Sequence, residues 1–97
     1  MLFTLEIDGR AVLVMAEDDP DAAAAAARAP AMTEQLAALD HAGRRLWNGR
    51  TPPRLRPATA AEAATWRAAF AEAVADGDAY EDEADSWATF LIDVAPR

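Results

Sequence analysis

Leu2-Phe3-Thr4-Leu5-Glu6-Ile7-Asp8-Gly9-Arg10-Ala11-Val12-Leu13-Val14-Met15-Ala16 decides the fold class of this chain. Phe3, Leu5 and Ile7 alternate with Thr4, Glu6 and Asp8. That period of two places apolar and polar side chains on opposite faces of a half-buried strand. Asp8-Gly9 supplies a hairpin turn, because glycine enters φ > 0 without a Cβ clash. Residues 11–16 read as the return strand. They are apolar on both faces, which predicts a more central place in the sheet than the first strand.

Downstream of the hairpin, Asp19-Pro20-Asp21 marks a helix start: a capping carboxylate, a proline suited to the first turn, and an acid that complements the helix dipole. The alanine run predicts a thin helix over 20–28. Pro30 then interrupts it, since proline lacks the N–H. A second helical piece is expected over 31–40, burying Met32, Leu36 and Leu39, with Gly43 as its stop. Arg44–Trp47 reads as a short strand and Asn48-Gly49 as a second hairpin turn. The returning arm Pro53–Pro57 is expected as an edge strand or an extended loop, because prolines cannot donate ladder hydrogen bonds. Thr59 and Glu62 form a capping box ahead of an apolar stripe of Trp66, Phe70, Ala73 and Val74, ending at Gly77. Residues 76–85 read as an acidic loop. Ser86–Val94 is expected as a closing strand internal to the sheet. The order β-β-α-(α)-β-β-α-β predicts one small α+β domain across 1–97. Its sheet is expected to be mixed or mainly antiparallel, with four to five strands and helices packed on one face.

Composition narrows the function classes. The 97 residues carry a net charge of −8, and their 53% hydrophobic fraction is largely alanine. All nine basic residues are arginine. A GC-rich bacterial genome accounts for that, and bidentate recognition of carboxylate or phosphate is the functional alternative. With no cysteine, disulfides, thiolate zinc sites and cysteine nucleophiles are excluded. No apolar run approaches the roughly 20 residues that span a bilayer. Residues 1–20 lack the pattern of a signal peptide, so a cytoplasmic, soluble protein is expected. The negative charge disfavours duplex nucleic acid and anionic membranes as partners.

Chemistry-bearing constellations are sparse. Asp40-His41 could orient an imidazole for general-base work, which keeps a small enzyme using Asp40, His41 and arginines in view. The acidic loop resembles a calcium loop only at Asp76 and Asp78. Tyr80 stands where a ligand is needed, and Glu81 where a glycine is needed. No phosphate-binding or dinucleotide glycine motif and no nucleophile elbow occurs. No cofactor, metal or catalytic residue is therefore expected.

The most distinctive feature is an arginine island. Residues 41–61 contain Arg44, Arg45, Arg50, Arg54 and Arg56 and no acid. On either side, residues 1–40 carry two arginines against eight carboxylates, and residues 62–97 two against nine. If the two arms pair as a hairpin, the five arginines converge near Trp47. The expected interaction surface is then Arg44, Arg45, Trp47, Arg50, Arg54 and Arg56. It would serve a non-enzymatic interaction or accessory module that binds a protein partner or a second copy. Two other readings stand beside it. The arginines could answer the chain's own acidic loops, or the carboxylates could imitate phosphate in an antitoxin-like decoy of a nucleic-acid-binding protein.

Overall fold

The computed structural model describes residues 1–97. Strand β1 (Leu2–Ile7) and strand β2 (Arg10–Ala16) form the expected antiparallel hairpin. Asp8 and Gly9 both take positive φ, at 53° and 78°, which makes the type I′ turn that matches strand twist. Partners run from Leu2 opposite Ala16 to Ile7 opposite Arg10, with one irregularity at Leu5–Glu6. There Val12 is the extra residue on β2. The bulge turns it, with Leu13, toward the same core.

Helices α1 (Pro20–Arg28) and α2 (Pro30–Ala37) follow. Asp19 caps α1 through its side chain, which accepts from the Ala22 N–H at 2.8 Å. Helix α2 stops three residues short of the expected end. Leu39–His41 is instead strand β3, paired with β4 (Arg44–Arg45). The turn between them is a second type I′ turn, with Ala42 at φ 53° and Gly43 at φ 79°. Gly43 therefore turns a hairpin rather than ending a helix.

Strand β5 (Arg54–Pro57) does not return on β4. It pairs with β1, so Leu55 faces Leu5 and Arg56 faces Thr4. The expected second hairpin is thus not formed. Asn48 folds the intervening chain back on itself instead: its Oδ1 accepts from the Arg50 and Thr51 N–H groups at 2.8 and 3.0 Å. Helix α3 (Ala60–Ala75) carries the expected Thr59–Glu62 capping box. After a short 3₁₀ turn at Glu81–Glu83, strand β6 (Ala88–Phe90) pairs with β2, and β7 (Ala95–Pro96) pairs with β3.

The result is an α+β fold with two antiparallel sheets, ordered β5-β1-β2-β6 and β4-β3-β7. Both β1 and β2 are interior. The C-terminal strand is short and lies at an edge, not inside as the sequence suggested. Helices cover both faces of the large sheet rather than one. On the first face Phe3, Leu5, Leu13 and Met15 pack with Ala23 and Ala27 of α1 and Leu36 of α2. On the second, Val14 and Ala16 pack with Trp66 of α3. Trp66 stacks on Phe70 at 5.2 Å and meets Trp87 edge-on at 5.8 Å, while its Nε1–H donates to the Trp87 carbonyl at 2.9 Å. Two faces need two apolar sets, which is why β2 is apolar on both sides. No helix is long and apolar enough to cross a membrane.

A side chain bearing Cβ in the left-handed region costs about 1–2 kcal/mol. Asparagine tolerates that region and favours this turn position. Ala42→Asn is therefore expected to raise stability by about 0.5–1 kcal/mol, seen as a higher urea midpoint at unchanged slope. A lower midpoint would contradict the turn assigned to Ala42-Gly43.

Candidate interaction surface

The island's arginines separate into different environments. Arg56 leaves β5 on the face that α3 covers. Its Nε donates to Glu6 at 2.8 Å, and its Nη1 and Nη2 donate to the two oxygens of Glu62 at 2.7 and 2.8 Å. Glu62 also accepts from the Thr59 N–H at 2.9 Å and from the Thr4 hydroxyl at 2.8 Å. Thr4 is the one fully buried polar residue of the core, and this bond satisfies it. The Arg56 hydrogen bonds are the main reason the Glu62 carboxyl is held down at about 2. Partial burial opposes them, while Thr59 and Thr4 add to them. Hydrogen bonds to Glu62 and Glu6 in turn push Arg56 above its ordinary range. Arg56 is thus a structural clamp, and the answer to the chain's own acids is local to it.

Arg44 and Arg45 lie elsewhere, exposed on β4. Neither makes an ion pair; the salt bridges join Arg56 to Glu6 and Glu62, and Arg97 to Asp40. Arg50 is exposed in the Asn48 turn, and Arg54 is exposed on the outer strand β5. Trp47 is half-buried against the first core, and its Nε1–H donates to the Thr51 carbonyl at 2.7 Å. The six residues expected to form one surface therefore do not converge, because β4 and β5 belong to different sheets.

What the fold does bring together is the tips of the two type I′ hairpins. Asp8 and Arg10 from the first face His41, Ala42, Arg44 and Arg45 from the second across a cleft of about 420 Å³. Ile7, Val12 and Leu46 lie beneath it and are themselves buried in the core. Arg10 was not among the residues singled out from sequence. Its only local signal is its position directly after Asp8-Gly9, and the facing hairpin at Leu39–Arg45 has no alternation to announce it. His41 Nδ1 lies 2.7 Å from the Asp93 carbonyl, so that nitrogen carries the proton and donates. Asp40 turns to Arg97, with Nε and Oδ1 3.3 Å apart. The two are neighbours in a strand and point to opposite sides, so no Asp-His pair forms. The acidic loop does not gather three ligating side chains at any point.

The cleft can hold an anion. Arg10 and Arg44 direct unpaired guanidiniums to it, which favours carboxylate or phosphate, and the planar fork allows bidentate contact; Arg45, the strand neighbour of Arg44, lines the cleft but points its side chain to the other side. Asp8 at the rim lowers that capacity. In comparisons with known proteins, no family model, no curated protein and no solved structure matches the chain.

The clamp sets a pH dependence. The folded Glu62 value of about 2 lies below the ordinary 4.5. Its stabilisation is therefore complete above about pH 4.5 and is lost as pH falls toward 2. Glu62→Gln keeps a side chain able to complete the capping box but removes the charge. It is expected to cost about 1–2 kcal/mol at neutral pH. It should also flatten the fall of the urea midpoint in that acid window. A variant as acid-sensitive as the parent would contradict the clamp.

Proposed function

We propose that this chain is a non-enzymatic protein-interaction module that holds an acidic protein segment in the cleft between its two hairpin tips. The observation that carries this reading is that Arg10, Arg44 and Arg45 line one cleft and none of them is neutralised within the chain. In a molecule of net charge −8, unpaired cations lining one cleft support the reading of a specific counterpart. An acidic peptide suits it better than a duplex. The cleft is short and partly apolar, and the surrounding negative field repels a long polyanion. The arginine stems and the exposed Ala42 leave some apolar surface beside the charges, which favours a segment with one large apolar residue among its carboxylates. Exposed ion pairs alone contribute only about 0–1 kcal/mol each, so the buried apolar contact supplies selectivity.

Fluorescence polarisation with a labelled synthetic peptide, Glu-Glu-Phe-Glu-Glu, tests the reading. Binding is expected at low ionic strength and should weaken several-fold as salt rises past about 0.15 M, where the screening length is about 8 Å. Arg44→Glu/Arg45→Glu should abolish it with the thermal midpoint little changed, since both side chains are exposed. Asp8→Asn retains a favoured type I′ turn and removes the rim carboxylate, so it should tighten binding several-fold. Binding that ignores all three changes would overturn the proposal.

A further inference from the structure

Away from the cleft, one exposed aromatic residue stands beside carboxylates that have no ion-pair partner. Tyr80 is 73% exposed; Met1 is the other large apolar residue left out in solvent. Tyr80 opens the 3₁₀ turn Glu81–Glu83, in which Glu81 and Asp82 are exposed and Glu83 is half-buried. None of these carboxylates has a salt-bridge partner. The turn is anchored: Ala79 is buried, and its N–H donates to the Ala73 carbonyl of α3 at 3.2 Å. Tyr80 is thus held outward by an ordered support. The residues around it are Val74, Gly77, Ala79, Glu81 and Asp82, and none of them lines the arginine cleft.

We propose that the Tyr80–Glu83 turn of one copy docks into the Arg10/Arg44/Arg45 cleft of the next. This names the occupant of the cleft and rests on the reading of that cleft as a receptor for an acidic segment. The match is chemical at each point. An exposed aromatic ring meets the arginine stems and the exposed Ala42, and the exposed Glu81 and Asp82 meet Arg10 and Arg44. Arginine also stacks on an aromatic face. Because donor and receptor surfaces differ, the contact is heterologous. Copies would add head to tail instead of closing as a symmetric pair. The net charge of −8 opposes the approach of two copies, so association needs enough salt to screen the whole-molecule charge while leaving contact pairs intact.

Multi-angle light scattering across a concentration series at about 0.1 M salt tests this, because the screening length there is about 10 Å. The average mass should rise with concentration beyond that of a dimer and return to the monomer at about 1 M salt, where the length is about 3 Å. Two variants then separate the surfaces. Arg44→Ser/Arg45→Ser lacks the receptor, and Tyr80→Ser/Asp82→Asn lacks the turn. Each alone should be monomeric with circular dichroism unchanged. Mixed in equal amounts, they should form a pair and nothing larger, since each supplies the half the other lacks. A wild type that stays monomeric throughout, or a mixture that stays monomeric, would overturn the inference. If the wild type still binds the acidic peptide while remaining monomeric, only the identity of the occupant falls and the receptor reading stands.

Discussion

The guanidinium of Arg56, gripped by Glu6 and Glu62, is the contact on which the layout of this fold depends. It lies where the edge strand β5, the interior strand β1 and the first turn of α3 meet. Glu62 works three ways at once. It closes the capping box, neutralises Arg56 and satisfies the buried Thr4 hydroxyl. Removing one partner of such a set leaves another polar group without its bond, which costs more than the contact itself contributes. The clamp thus ties residues 54–57, laddered to β1, to the first turn of α3 on the second face of the large sheet.

That commitment divides the arginine-rich segment. With β5 drawn to β1, residues 44–45 are free to pair with β3, and the small sheet places them beside the tip of the β1–β2 hairpin. Arg56 becomes structural, while Arg44, Arg45, Arg50 and Arg54 stay exposed, as does Arg10. The proposed function rests on the arginines at the hairpin tips, which no ion pair within the chain uses.

The first hairpin and both well-capped helices were legible because each carries its own local signal. Period two with Asp8-Gly9, the Asp19 cap, and the Thr59–Glu62 box are all short-range. The second hairpin was not. Leu39–Arg45 has no alternation, and Ala42 is an unusual residue at φ 53°. Asn48-Gly49, a strong turn signal, marked a loop that closes on itself. Whether a turn joins paired strands is decided by what lies beyond it. Pro52 and Pro53 remove two donors there, and β1 offers β5 a better partner. The helices' distribution over two faces was implicit in the doubly apolar β2, but only the register makes it explicit. The six-residue surface was misjudged for the same reason, since it rested on a pairing that tertiary contacts override.

The account's central claim is that Arg56 is committed to Glu62 within the chain, leaving Arg44 and Arg45 unpaired for a partner. A ¹³C NMR titration of the Glu62 side-chain carboxyl measures that commitment directly. The account predicts a midpoint near 2, with the resonance unmoved through the ordinary range around 4.5. A midpoint close to 4.5 would contradict it.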